Sequence, residues 1–367
     1  MVLLALPALV PLAGLGVYLQ ASGALHRPSP AVEPTPVDAD PEGLADVEAL
    51  IRKEFHEGPR KLLKAGKSRL EILADKRRFF DALGEERDFG AEFRPASLDV
   101  SGHTLSGEWT VVDGADPDRR LLYLHGGGFT VGSAMSHRPI TAALARATGG
   151  VVFAPDYRLL PENKRMDGIE DARAAYAWML GNGPDGESAA REAFVAGDSA
   201  GGSLTLMVAQ WARDAGLRAP DAIAVFSPST DYTLRSGSIR DNFEPDTMLQ
   251  PLFKPFITLS RPLLTAGVWK TSGLRPTDPR NSPLFGKLGG LPPTLIQVSE
   301  TEMLLDDARN YAARATAHGS EVELEVWRAN GADAPLPHVW QIFDRELPAA
   351  REAVKRAGVF LVDQTKG

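Results

Sequence analysis

The stretch Phe194-Val195-Ala196-Gly197-Asp198-Ser199-Ala200-Gly201-Gly202 runs from an apolar strand pattern through G-x-S-x-G into the helical pattern of GGSLTLMVAQWARDAG (201–216). A strand-to-helix turn this tight holds its central serine in a strained backbone conformation, and the flanking glycines remove side chains that would strike the neighbouring strand and helix. The Ser199 hydroxyl is thereby lifted above the sheet, next to a helix N-terminus that favours developing negative charge. Ser199 is therefore predicted to be a nucleophile.

The rest of the chain supplies a matching scaffold. Short apolar runs recur at LLYL (121–124), VVFA (151–154), AIAVF (222–226), TLIQV (294–298) and VELEVW (322–327), most of them separated by helical stretches such as DARAAYAWML (171–180). Such alternation implies right-handed βαβ units and an α/β fold with a mainly parallel sheet of about eight strands, covered by helices on both faces. A polar hairpin, LDVSGHTLSGEWTVV (98–112), leads into it.

A serine hydroxyl needs a base and a place for negative charge. The strand LLYL runs into His125-Gly126-Gly127-Gly128-Phe129, where three glycines let backbone N–H groups face one point. With the N–H of Ala200 they predict an oxyanion hole, and His125 itself reads as structural, holding the loop by side-chain hydrogen bonds. Of the seven histidines, His338, in Pro337-His338-Val339-Trp340, lies after the last predicted strand. The chain order nucleophile, acid, histidine makes it the base. The acid is expected just beyond TLIQV, where Glu300, Glu302, Asp306 and Asp307 compete; Glu302 is the choice and Asp306 the reserve.

Composition narrows the alternatives. With 43% hydrophobic and 24% charged residues, 35 Gly and 28 Pro in 367, the chain is neither disordered, collagenous nor a coiled coil. A net charge of −8 argues against a nucleic-acid partner. The absence of cysteine excludes disulfides, thiolate nucleophiles and Cys-ligated metals. No Gly-rich nucleotide fingerprint or HExxH is present, and the chemistry assigned to Ser199 requires neither metal nor cofactor.

Residues 1–24 carry no charge and are nearly all apolar, followed by HRPSPAVEPTPVDADP with five prolines. The first part reads as a removable signal or anchor, with a lid arm as the competing reading, and the second as an extended tether. Export or membrane association is favoured over a cytoplasmic location. Residues 43–90 read as helices, with Leu63, Leu70, Leu73, Phe80 and Leu83 at helical spacing. Ten Lys/Arg between Arg52 and Arg78 face four acids, a local +6 that reads as a solvated face or as a surface for anionic lipid.

HGGGF (125–129), Asp156-Tyr157-Arg158-Leu159-Leu160-Pro161-Glu162, GDSAGG (197–202) and PHVWQ (337–341) resemble the hormone-sensitive-lipase family of α/β-hydrolases, the bacterial family IV esterases. The resemblance extends over about residues 45–360. It implies Ser199, Glu302 and His338 as catalytic triad and Gly126, Gly127 and Ala200 as oxyanion donors. It also implies a helical cap from about 43–95 and 243–275, dividing the chain into 1–41, 42–95 and a catalytic domain over 96–367. The implied activity is hydrolysis of small to medium acyl esters, with a lactone or amide hydrolase, or a non-catalytic small-ligand receptor, as alternatives. A homodimer is compatible with this reading. Where the family continues its DYRLAPE motif with His-Pro-Phe-Pro, this chain has Asn163-Lys164-Arg165-Met166, and ANGADAPL (329–336) is inserted before the PH pair. Both alterations fall at the expected rim of the site.

Overall fold

The computed structural model describes residues 32–366 except 39, 86, 87, 259, 260, 331–334, 344 and 345. The expectations for residues 1–24 and for much of the 329–336 insertion lie outside the described residues. No helix among the described residues is long and apolar enough to cross a membrane.

Among these residues nine strands form one sheet: β1 (Thr35–Asp38), β2 (Glu92–Val100), β3 (His103–Val111), β4 (Asp116–Leu124), β5 (Gly150–Pro155), β6 (Glu192–Asp198), β7 (Ala222–Phe226), β8 (Thr294–Ser299) and β9 (Val322–Asn330). Their order is β1-β9-β8-β7-β6-β4-β5-β3-β2. β2 and β3 pair antiparallel, as do β3 and β5, and the other neighbours are parallel. Every apolar run picked from the sequence is one of these strands.

The runs are nearly continuous because both faces of the sheet are buried. In β4, Leu122 and Leu124 join a core with Ile169 of α5 (Arg165–Met179), Leu204 of α6 (Ser199–Asp214) and Tyr311 of α10 (Leu305–Ala317). The alternate residues Leu121 and Tyr123 point into the opposite core, with Leu144 of α4 (Arg138–Thr148) and Phe360 of α11 (Pro348–Asp363). Side chains alternate across a strand with period two, so one run of four residues serves two cores.

The N-terminal helices are α1 (Pro41–Ile51), α2 (Gly58–Lys64) and α3 (Arg69–Ala82). α3 starts at a capping box in which the Ser68 hydroxyl accepts the Glu71 N–H at 3.3 Å and Glu71 accepts the Ser68 N–H at 2.8 Å. Leu73 and Phe80 are buried as their spacing predicts, but Leu63 and Leu70 are 55% and 58% exposed. Leu63 belongs to α2, so its spacing to Leu73 is not counted along one helix, and Leu70 lies on the exposed first turn of α3. α1 buries Leu44, Val47 and Ile51 against Met248, Trp340 and Leu347. The Nε2–H of His56 donates to the Thr247 carbonyl at 2.7 Å, and the Thr247 hydroxyl donates to Glu48 at 2.6 Å. These contacts join the N-terminal helices to the segment leading into α8 (Gln250–Thr258) and α9 (Arg261–Ser272), between which lies the cavity described below. The short helix α7 (Ser238–Asp241) precedes that segment.

One expectation is corrected. The proline-rich stretch before residue 41 is extended, but it is not a free tether over Thr35–Asp38. That segment pairs parallel with β9, from Thr35 opposite Trp327 to Asp38 opposite Asn330, and Val37 is buried beside Trp327 and Leu44. Proline is tolerated at a sheet edge, where its missing N–H costs no ladder bond, so Pro36 favours the extended backbone without preventing pairing.

Candidate active site

β6 ends at Asp198 and α6 begins at Ser199, whose φ is +50°, the strained elbow expected of this motif. The glycines around it are required by space. A Cβ on Gly201 would lie 1.9 Å from the Leu124 carbonyl oxygen. β4 and the new helix can therefore approach closely, bringing the loop after β4 against the nucleophile.

Ser199 meets a histidine. The Nε2 of His338 lies 2.9 Å from Ser199 Oγ, and its Nδ1–H donates to Glu302 Oε2 at 2.7 Å. Glu302 follows β8 and is buried, and its second oxygen accepts the Ser299 N–H and the Ser227 hydroxyl, both at 2.8 Å. Three hydrogen-bond donors on its two oxygens hold this carboxylate in a fixed orientation. The other three candidates are engaged elsewhere. Glu300 pairs with Arg328 at 2.7 Å, and Asp306 accepts the Ser238 N–H at 2.9 Å. Asp307 accepts the Thr230 and Asp231 N–H groups at 2.7 and 2.9 Å.

The oxyanion loop differs from expectation at one residue. The Gly126 N–H donates to Asp198 Oδ1 at 2.9 Å, so it is spent within the protein and cannot receive a substrate oxygen. Gly127 and Gly128, at φ +103° and +60°, line the cavity with Ser199 and Ala200, and their N–H groups have no partner in turns or loops among the described residues. Ala200 is the second residue of α6, where helix N–H groups lack intrahelical partners. Gly127, Gly128 and Ala200 thus keep N–H groups that can face the cavity, and Gly126 instead locks the loop to Asp198, the residue preceding Ser199.

The chain is similar to known hydrolases. Residues 121–333 match the family model described as alpha/beta hydrolase fold. The acetyl-hydrolase of Streptomyces hygroscopicus is 36% identical over 268 residues, covering 73% of this chain and 82% of that protein. The esterase of Acinetobacter venetianus is 31% identical over 242 residues, covering 65% and 73%. A solved esterase from the bacterial hormone-sensitive lipase family superposes with a TM-score of 0.70 at 34% identity, covering 88% of this chain and 98% of the other. The chain belongs to the hormone-sensitive lipase family of α/β-hydrolases.

As a carboxylesterase-like hydrolase of that family, it has an electrostatically graded site. Burial alone would lower the His338 pKa; Glu302 chiefly, then Asp246 and Asp198, reverse this and hold it above the ordinary 6.5. Asp246 is one of the residues that sequence reasoning missed. It is buried close to His338 and Glu302, it accepts the Met303 and Leu249 N–H groups at 2.8 and 3.0 Å, and burial pushes its pKa to about 6. Ser227 and Asn242, whose side-chain amide donates to the Glu302 carbonyl at 2.7 Å, were likewise missed. Ser227 opens Ser227-Pro228-Ser229-Thr230-Asp231 directly after β7, a turn-like sequence at a strand end, whereas nothing in the sequence singles out Asp246. His125 is structural, as expected of it: Nδ1–H donates to the Gly126 carbonyl at 2.8 Å, the ring stacks on Tyr157, and burial lowers its pKa to about 3.

Proposed function

We propose that the protein hydrolyses carboxylic esters by a Ser199–His338–Glu302 triad with an oxyanion hole formed by Gly127, Gly128 and Ala200. The reading rests on one observation, the continuous hydrogen-bonded line from Glu302 through His338 to Ser199 Oγ at 2.7 and 2.9 Å. Ser199 Oγ attacks the ester carbonyl carbon as its proton passes to His338 Nε2. Glu302 orients the ring and stabilises the imidazolium, and the three amides receive the carbonyl oxygen as it becomes negative. Collapse breaks the ester C–O bond, and the departing alkoxide takes the proton from His338. Water then attacks the acyl-enzyme by the same route in reverse, releasing the acid. Each well-placed oxyanion donor contributes about 2.7–4 kcal/mol.

Small to medium acyl groups suit the cavity in front of Ser199. Its volume is about 720 Å³, and Leu73, Phe80, Met248, Leu249, Leu252 and Val268 supply much of its lining. That size matches a small-molecule pocket. The test is a series of p-nitrophenyl esters from acetyl to palmitoyl, with fluorophosphonate labelling of the wild type and of Ser199→Ala. Turnover should peak at short or medium chains, and the label should require Ser199. Ser199→Ala retaining more than about a thousandth of wild-type kcat would overturn the assignment, given the usual cost of losing a triad member.

A further inference from the structure

Arg165, the first residue of α5, is 4% exposed and lines the same cavity as Ser199. Its guanidinium lies over the Phe129 ring, 3.3 Å from the ring centroid. Phe129 directly follows Gly127 and Gly128, so the cation sits one side chain away from the oxyanion amides. Nε and Nη2 of Arg165 are buried without a hydrogen-bond partner, and no ion pair with it exists among the described residues. The carboxylates that line the cavity are turned to other groups: Asp198 to Tyr123 and Gly126, Asp231 to the Thr233 N–H, and Asp307 to Ser236 and the 230–231 amides. A second cation, Lys76 of α3, lines the cavity from the cap side, 5.3 Å from the Phe55 ring and likewise without an acid partner among the described residues.

Burying a guanidinium among apolar groups without an anion is unfavourable, and contact with an aromatic face offsets only part of the lost hydration. Burial lowers the Arg165 pKa to about 10, which still leaves it charged at neutral pH. A planar fork of donors is suited to a carboxylate, which it can bind through two parallel hydrogen bonds. The site thus contains a charge whose counterion the protein does not supply.

Resting on the ester-hydrolase reading above, we infer that the substrate is an ester carrying a second group, a carboxylate, which Arg165 receives while Ser199 attacks the ester carbonyl. Lys76 adds positive potential at the cavity's cap side. The carboxylate is carried either on the acyl part or on the alcohol part of the ester; the chemistry recognised is the same.

Two matched pairs separate these cases by titration of released acid: monomethyl adipate against methyl hexanoate, and 4-acetoxybutyrate against butyl acetate. In the wild type, the charged member of at least one pair should have a kcat/KM at least tenfold above its neutral partner. The pair that does so identifies the side carrying the charge. R165Q should lower that ratio at least tenfold, and R165K should retain only part of it, because the charge remains while the two-pronged donor geometry is lost. A wild type without a charged preference in either pair overturns the inference, and this arm needs no variant to fold. A ratio unchanged by R165Q also overturns it and leaves Arg165 as a support for Phe129. Failure of the wild type to cleave any of the four esters or p-nitrophenyl butyrate would instead overturn the ester-hydrolase reading.

Discussion

Ser227 donates its hydroxyl hydrogen to Glu302 Oε1 at 2.8 Å while accepting the Val339 N–H at 3.3 Å, so one buried serine connects the acid to the loop that carries His338. Its φ of +49° indicates that the backbone accepts strain to hold it there. Ser227→Ala leaves one carboxylate oxygen with a single partner. It should lower kcat about tenfold, the worth of one hydrogen bond to a charged group, with little change in KM. Steady-state kinetics with p-nitrophenyl butyrate decide this.

Glu302→Gln should be far more damaging than Asp306→Asn. The first replaces the Nδ1 acceptor and favours the wrong imidazole tautomer, a change that costs about 10⁴ in kcat in comparable triads. Asp306 caps α7 through the Ser238 N–H and pairs with Arg309, so its substitution should register as a small drop in Tm. Greater loss of kcat in Asp306→Asn would reverse the choice of acid.

The pH profile follows from the buried charges around His338. Catalysis needs the neutral imidazole, so kcat/KM should fall on acidification with a midpoint above 6.5, since the surrounding carboxylates raise the histidine pKa. Asp246→Asn removes one of them and should move that midpoint to lower pH. A midpoint unmoved in the variant would exclude Asp246 from the electrostatics of the site.

Removal of β1 should be measurable. A chain beginning at residue 41 exposes the β9 edge and loses the burial of Val37, about 1.5–3 kcal/mol for a fully buried side chain of that size. Its Tm should lie several degrees below that of a chain beginning at residue 32, while both hydrolyse p-nitrophenyl butyrate with similar kcat. Equal Tm values would mean that β1 contributes no net stability.

Much of the candidate site was legible because its chemistry is local. G-D-S-A-G after an apolar run, three glycines after another, and a late histidine each carry a short-range reason for being where they are. Position narrowed the acid to four carboxylates just beyond β8, and the family resemblance selected Glu302 among them. The Gly126 amide was misread since its fate depends on Asp198, 72 residues away, and a glycine run does not reveal which of its N–H groups is already used. Asp246 and Thr35–Asp38 escaped for the same reason. A buried carboxylate and an edge strand are defined by what packs on them, and neither leaves a periodic trace in four residues.

The contact between Asp198 and Gly126 also governs what acid does to this enzyme. Burial alone would raise the Asp198 pKa, but His137 and the Tyr123 hydroxyl hold it below the ordinary 3.8. Its contribution to stability is therefore present at neutral pH and is lost only as pH falls through that depressed value. Asp246 and Asp307 have the opposite sign: burial raises them to about 6 and about 7, so acidification relieves the cost of their buried charge. His338 has meanwhile taken up its proton, at a pH above the ordinary 6.5. Between these limits the loop and the nucleophile stay joined while the base is occupied. Mild acid is therefore expected to stop turnover through His338 before it breaks the Asp198–Gly126 contact, so that neutralisation should restore activity.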